Sequence, residues 1–517
     1  MCIPLLLSAL EGSVTNTALP TISDQLNLGT KFSWVATAFL LASTTFQPLY
    51  GQLADIWGRK YPMMLAVVVF GLGSALCGWA TNGAMLIAGR IVQGLGTGGI
   101  DLFAELILCD LVPLRKRGTY MAIKHVVFAA GTTVGPLLGG VFAEHGWRWC
   151  FWINIPVCGI AVILMFFCLK VGGGVKTKDV KFKDLLARMD GFGTSLLTSS
   201  VVLILVSLSM GGSSHPWTSA VVTTPLAVGI VGLIIFPFFE ASSYCKAPIM
   251  PPQIFSNRTS ATAFILTAIH GFVTYGIQFY LPPFFQAVKG SSPTKSGIEV
   301  LPTTLVIVLG FAAMALGLGL CTMLTKDTPT GVWVTFQLLL AAGSGIIVST
   351  LLPAVVAPLP DSANGAAAGS WAFLRGTGSL FGVAIPGTIF NIRFSSLLPT
   401  INNATAREQL KNGQAYQRAS STFVSKFGPN VKVQIVAAFQ DSLKWVWVVF
   451  SIFAGVGFLA SFVEKQVKLR KELDTQYGLK TPKTTPKVER TLEEIEMDME
   501  KAMEEVEVRE PEVAHTA

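Results

Sequence analysis

Charge is what this sequence has least of. Only 13% of its 517 residues are Asp, Glu, Lys or Arg, against 51% hydrophobic residues and a mean hydropathy of +0.57. Soluble domains carry about 25% charged residues, so a water-facing surface of this size is excluded. The charge is also unevenly placed. Residues 464–517 hold ten basic and fourteen acidic side chains, so that stretch carries −4 and the 463 residues before it carry +12. This is the composition of a polytopic membrane protein with a hydrophilic tail.

Other absences narrow the class. The eight cysteines lie almost all inside apolar runs and show no paired spacing, which argues against a disulfide framework or a zinc cluster. No glycine-rich loop ends in Lys, and no catalytic constellation appears, so neither ATP-driven work nor an enzyme is expected. No basic segment precedes the first apolar run, which reads as a retained anchor rather than a cleavable signal. The surplus basic residues sit in short loops between apolar runs, where they orient a chain in a bilayer and give no reason to expect nucleic acid.

A spanning helix needs about 20 largely apolar residues. Such runs fall at 2–22, 32–50, 61–80, 84–108, 119–143, 149–170, 191–211, 219–239, 260–283, 298–325, 331–356, 366–391 and 443–463. The charge-free stretch 191–239 is broken in two by the Gly/Ser/Pro segment 211–217, where His215 is read as a loop residue. Basic residues cluster in alternate loops: Arg59 and Lys60, then Arg115, Lys116 and Arg117, then Lys176, Lys178, Lys181, Lys183 and Arg188. The positive-inside rule makes these loops cytosolic and starts the chain at the cytosolic face. Lys465, Lys468, Arg470 and Lys471 place the tail there too. An odd number of spans cannot put both ends on one side. The run at 298–325 is the suspect, at about 42 Å too long for one comfortable span and too short for two. In the polar stretch 393–442, Asn403 heads an Asn-Ala-Thr sequon on the side opposite the tail, and is the expected glycosylation site. The sequon at Asn257 falls in a cytosolic loop and is expected to stay unmodified.

Several strings carry a pattern beyond hydropathy. Between the second and third runs the sequence reads Gly51-Gln-Leu-Ala-Asp55-Ile-Trp-Gly58-Arg59-Lys60, a charge cluster framed by glycines at a helix junction. Leu10-Glu11-Gly-Ser-Val-Thr-Asn-Thr-Ala-Leu-Pro20 lies in the first run, and Arg90-Ile-Val-Gln93-Gly94-Leu-Gly96 in the fourth. Gly131-Thr-Thr-Val-Gly135-Pro136-Leu-Leu-Gly139-Gly140 lies in the fifth, and Trp147 to Pro156 leads into the sixth. Together these resemble the signatures of the major facilitator superfamily, in particular its fourteen-spanner drug:proton antiporter branch of fungal multidrug and secondary-metabolite efflux pumps. The resemblance covers most of residues 5–395.

The charged residues inside the runs point to transport chemistry on their own. Glu11 lies about 15 Å into the first span, near the midplane, where a carboxylate must face a cavity or a partner. Burial penalises the charged form of an acid, so such a group is a candidate reversible proton carrier. Arg90 stays protonated, and its field can push a neighbouring acid to release its proton. Asp101 and Glu105, four apart on one helical face, and the second membrane arginine, Arg375, are further coupling or cavity candidates. His270 is read as a satisfied core histidine, and Lys124 and His125 are expected to snorkel.

The resemblance implies more. Gly51, Asp55, Gly58, Arg59 and Lys60, with Asp110 as the partner of Arg59, would form a cytosolic gate. Gly131, Gly135, Pro136, Gly139 and Gly140 would form the antiporter helix motif. The family fold is all-α: two six-helix bundles plus two linker helices. The expected organisation is an N-terminal bundle at 1–170, a cytosolic linker at 171–190 and the linker helices at 191–239. A C-terminal bundle at 260–463 and the tail at 464–517 complete it. The family's glycine/basic loop between spans ten and eleven is absent around 310–316, so about one helix is read as deleted and the C-terminal bundle as incomplete. The expected function is proton-coupled efflux of amphipathic small molecules by a monomer in the plasma membrane, or in a vacuolar or other endomembrane. Its energy would come from the proton gradient, with no cofactor and no metal. Two alternatives stand beside it: a proton symporter importing a siderophore-like solute, and a membrane protein left transport-dead by the deletion.

Overall fold

The computed structural model describes residues 2–463 apart from 27, 29–31, 113, 170–189, 213–214, 246–247, 292–294, 296–309, 360–362, 412, 417 and 420. Residues 1–478 form one compact unit, and the second unit, 479–517, lies outside the described residues. Also outside them are the basic linker residues Lys176 to Arg188, the first part of the suspect run, 298–309, and the tail.

The described residues are helical, with one isolated bridge between Gly211 and His215. The N-terminal half contains α1 (Cys2–Gln25), α2 (Phe32–Thr45), α3 (Gln47–Trp57), α4 (Lys60–Gly78), α5 (Gly83–Leu111), α6 (Leu114–His145) and α7 (Trp149–Cys168). Then come α8 (Gly191–Met210) and α9 (Ala220–Glu240). The C-terminal half contains α10 (Arg258–Pro283), α11 (Gly310–Cys321), α12 (Thr330–Val356), α13 (Asn364–Leu397), α14 (Ala404–Leu410) and α15 (Pro429–Ser461). Nine of the described helices are long and apolar enough to cross a membrane.

Local chemistry sets the ends. Asn82, Asp190, Ser219, Asn257 and Asn403 each cap a helix by accepting a backbone N–H with the side chain. Gly58 closes α3 with φ at +77°, a left-handed turn that side chains resist. In a bilayer, helices approach through small residues rather than by hydrophobic driving force. The glycines of α5 do this on two faces. Methyl groups at Gly94 and Gly98 would overlap the carbonyls of Phe39 and Ser43 on α2, and one at Gly96 would overlap the Phe70 backbone on α4.

The bundles follow from the packing. In the first, α5 packs on α2 and α4, α1 on α6, and α4 on α7. In the second, α10 packs on α12, α13 and α15, and α11 on α12 and α15. The helices α8 and α9 pair with each other. Across the halves, α13 packs on α2, α3 and α5, and α12 on α6.

Two expectations change. The stretch 393–442 is not a simple polar loop. Helix α13 runs on to Leu397 and α15 begins at Pro429, not near 443. At 34 and 33 residues these helices reach about 50 Å and outrun an apolar core of about 30 Å. Their projecting ends are joined by Arg393 Nε to Asp441 Oδ2 at 2.6 Å. Lys124 does not snorkel; it is buried against Glu105. Within the suspect run, residues 298–309 lie outside the described residues, and α11 begins directly after them at Gly310.

Candidate functional site

Helices α1, α2, α4, α5 and α7 converge on one buried polar knot. Arg90 Nη1 donates to Glu11 Oε1 at 2.8 Å and to Gln93 Oε1 at 2.7 Å, while Nε donates to the Val35 carbonyl at 3.1 Å. Its guanidinium lies 4.1 Å from the centre of the Phe39 ring, a cation–π arrangement. Thr15 Oγ1 donates to Glu11 Oε1 at 2.7 Å, and Asn154 Nδ2 to Glu11 Oε2 at 2.5 Å. Gln93 Nε2 in turn donates to Ser74 Oγ at 2.8 Å. Glu11 is 0% exposed and Arg90 1%, so neither charge is screened by water. Such a pair holds only when its remaining polar atoms are also satisfied. Both Glu11 oxygens have partners here, and among the described residues of the network Asn154 Oδ1 is the one atom left without one. Sequence reasoning named Glu11 and Arg90. It missed Thr15, Ser74, Gln93 and Asn154 as partners, although uncharged polar residues inside apolar runs are a readable signal.

The second cluster sits where the two halves meet. Ser8 Oγ, one turn before Glu11, donates to Asp101 Oδ1 at 3.0 Å. Asp101 lies in the field of both Lys124 and Arg375. Lys124 forms a buried ion pair with Glu105. Arg375 stacks on Trp371, its guanidinium carbon 4.5 Å from the ring centre, and reaches the same electrostatic neighbourhood as His125, His270 and Tyr275. His270 is held through Nε2 by Ser344 Oγ at 2.9 Å. Helices α1, α5 and α6 from the first half thus meet α10 and α13 from the second around four formal charges of balanced sign. Several buried polar atoms here have no hydrogen-bond partner: Glu105 Oε1, His125 Nε2, His270 Nδ1 and Trp371 Nε1. Unsatisfied buried polar atoms are costly, and their concentration at one place suits a site that takes a polar guest.

The face that loop charge assigns to the cytosol is closed by close backbone approach. A methyl on Gly51 of α3 would lie 2.9 Å from the Gly365 carbonyl and 3.5 Å from Gly369 Cα, both on α13. One on Gly376 would lie 2.6 Å from the Thr44 side chain. Beside this seam Arg59 Nε donates to Asp110 Oδ2 at 2.8 Å, both side chains almost fully buried. Lys60 Nζ donates to the Phe166 carbonyl at 2.7 Å. The side chain of Asp55 lies outside the described residues.

The glycine stripe on α6 is used unevenly. A methyl on Gly131 would sit 2.8 Å from Ala9 Cβ, and one on Gly135 would overlap the Ser13 hydroxyl, so both positions press α6 onto α1. Gly139 is buried, whereas Gly140 meets nothing within 4 Å and so does not share the packed face. The Pro136 side chain lies outside the described residues. Asn403 caps α14 through Oδ1, accepting from Ala406 N at 2.8 Å.

Comparison with known proteins places this geometry. The profile described as Major Facilitator Superfamily matches residues 1–308. The chain is 40% identical over 504 residues to the "MFS-type transporter gkaD" of Penicillium citrinum, covering 93% of this chain and 86% of that one. It is 39% identical to the "MFS-type efflux pump LUC4" of a Fusarium species, covering 93% and 89%. To the "Efflux pump FUS6" of Gibberella fujikuroi it is 38% identical, covering 92% and 90%. Among solved structures, the proton:xylose symporter XylE superposes with a TM-score of 0.53 at 13% identity, covering 89% of this chain and 94% of that one. The human organic anion transporter MFSD10 gives 0.51 at 15%, covering 89% and 97%. At such identities these two likenesses concern the fold alone. The chain is a multi-pass membrane transporter, not an enzyme, and it belongs to the Major Facilitator Superfamily.

Proposed function

We propose that the chain exports amphipathic small molecules of the secondary-metabolite kind in exchange for protons. The observation that carries the coupling half of this reading is the buried Glu11–Arg90 pair. A carboxylate held by an arginine, a threonine and an amide is complemented in its ionised form. Protonating it removes the attraction to Arg90, whose guanidinium keeps Gln93 and the Val35 carbonyl and becomes free to shift. The proton and the position of α5 are thereby linked. The printed names of the relatives, efflux pumps among them, support export over import.

Recognition falls to the cluster between the halves. Asp101, Glu105, Lys124 and Arg375 would orient a polar group, and the surrounding apolar helices would take the rest of an amphipathic guest. Ser8 and Glu11 share one face of α1, so a shift of Asp101 on binding reaches the coupling pair through a single helical turn. Closing the seam between α3 and α13 while the opposite face opens would be the export-facing state of a rocking transporter. The same reading places the protein in the plasma membrane as a monomer, with a glycan on Asn403.

Substrate-driven proton movement in everted vesicles tests this: the intact chain should alkalinise the lumen only with substrate present, and Glu11→Gln should abolish it. A second reading draws on the glycine/basic loop that the family resemblance leads one to expect and that the sequence lacks around 310–316. On that reading the chain carries no substrate, and an absence of flux in the intact protein would favour it over both export and import.

A further inference from the structure

At the cytosol-assigned ends of α8 and α9, far from both charge clusters in the sequence, three ligating side chains meet. Asp190 precedes α8 and caps it, its Oδ1 accepting from Gly193 N at 2.7 Å. Glu240 ends α9, and its Oε2 accepts from Met250 N at 2.9 Å. Cys245 follows five residues later, with Sγ 3.5 Å from Asp190 Oδ2. One ligand atom from each of the three lies within 4.8 Å of the others.

Both acids are almost fully buried, Glu240 at 3% exposure and Asp190 at 8%. The second oxygen of Glu240, Oε1, is buried and has no partner other than the Asp190 carboxyl group it faces. It points at the same spot as Asp190 Oδ2. A methyl on Gly193 would overlap the aspartate oxygen and come within 2.6 Å of Glu240 Oε1, so glycine there leaves room for the two oxygens to face each other. Two carboxyl groups in this position cannot both stay ionised without added positive charge, either a shared proton or a cation.

We propose that Asp190, Glu240 and Cys245 form a binding site for a zinc-class divalent cation. The donor set decides the class: a thiolate beside two carboxylates suits zinc or cobalt, whereas magnesium and calcium take oxygen ligands alone. One edge of the trio already has the length such a site needs. Zinc–oxygen and zinc–sulfur bonds of about 2.0 and 2.3 Å at a tetrahedral angle give an oxygen–sulfur edge of about 3.5 Å. Asp190 Oδ2 and Cys245 Sγ stand at 3.5 Å. Three protein ligands leave a fourth position for water. The cation would clip the start of α8 to the end of α9. It would also reach the gate, because the Asp190 backbone N–H donates to Gln52 Oε1 on α3 at 3.3 Å. Spacings of 50 and 5 residues hide this trio from any reading of cysteine or histidine motifs.

The test uses the full chain in nanodiscs, with the exposed Cys2 and Cys168 changed to serine. Cobalt(II) is titrated while the near-ultraviolet thiolate-to-cobalt band is followed. One equivalent should give the band, and zinc should displace it. Cys245→Ser should lose it, and Glu240→Gln, which keeps a carbonyl for Met250 N, should bind at least about 10–100-fold more weakly. Zinc should also raise Tm in the parent and not in Cys245→Ser, which alters a half-exposed turn residue. Absence of the band, or its survival in Cys245→Ser, would overturn the proposal. So would an infrared carboxylic-acid carbonyl band at neutral pH that Glu240→Gln removes in a protein without cobalt affinity, since that assigns the pair a shared proton.

Discussion

Arg90 Nη1 lies 2.8 Å from Glu11 Oε1 and, with the same nitrogen, 2.7 Å from Gln93 Oε1. One nitrogen therefore divides its donors between an ionisable partner on another helix and a neutral one on its own. If the carboxylate is protonated, Gln93 remains and the arginine keeps part of its solvation. The pair can therefore exchange one tight arrangement for a looser one without stranding a bare charge in the bilayer, which a proton-coupled step requires.

Glu11→Gln keeps size and hydrogen-bonding capacity but removes the charge facing Arg90. Breaking a buried ion pair from one side costs about 3–5 kcal/mol, so this variant should melt well below the parent. Replacing both partners with apolar residues (Glu11→Leu with Arg90→Met) should recover much of that stability while proton movement stays absent. Melting curves and vesicle fluxes on the three proteins separate packing from coupling. A double variant that still exchanges protons for substrate would remove Glu11 from the mechanism.

In the proposed export cycle Arg375 orients substrate and does not couple. Arg375→Lys keeps the positive charge but loses the flat stack on Trp371, worth about 0.5–2 kcal/mol. The apparent KM for export should rise by roughly 2- to 30-fold, while the number of protons moved per substrate stays as in the parent. A changed proton ratio would place Arg375 in the coupling chain instead.

The sequence made Glu11 and Arg90 legible because a charge deep in an apolar run is rare and demands an explanation. The spans were legible for the same reason turned round: hydropathy measures contact with lipid. It does not measure helicity, so the parts of α13 and α15 that stand beyond the bilayer, with Arg393 and Asp441 on them, read as loop. Lys124 was misread because its partner lies 19 residues away on another helix. A lysine six positions into a span resembles a snorkelling one until Glu105 is seen against it. Thr15, Ser74 and Asn154 carry no charge and so left no mark, although they complete the shell around Glu11.

The Lys124–Glu105 pair supports a prediction of its own. Both groups are buried, and Glu105 keeps one oxygen without a hydrogen-bond partner. Lys124→Met leaves that carboxylate buried beside Asp101 with one nearby cation fewer, and should lower stability by about 3–5 kcal/mol. Adding Glu105→Gln removes the excess negative charge and should return most of the loss. Substrate binding, followed by intrinsic fluorescence with Trp371 beside the site, should remain weakened in the pair. Full recovery of binding would mean that the ion pair only braces α5 against α6.

If the seam between α3 and α13 is the gate of the proposed export cycle, the glycines that let its two backbones touch set the balance between cytosol-closed and cytosol-open states. Gly51→Val would push side-chain atoms toward the Gly365 carbonyl, which already lies within 2.9 Å of a methyl at that position. Backbone cannot yield as a side chain can, so the strain falls on the closed state and not on the open one. Overpacking of this kind costs about 1–3 kcal/mol, which shifts the population toward the cytosol-open form by roughly 5- to 150-fold. Gly455→Ala on α15 is the control, since a methyl there meets nothing within 4 Å. Spin labels at the cytosolic ends of α3 and α13 read the difference directly. The distance distribution should lengthen in Gly51→Val and match the parent in Gly455→Ala. An unchanged distribution in Gly51→Val would mean that the seam does not open during transport.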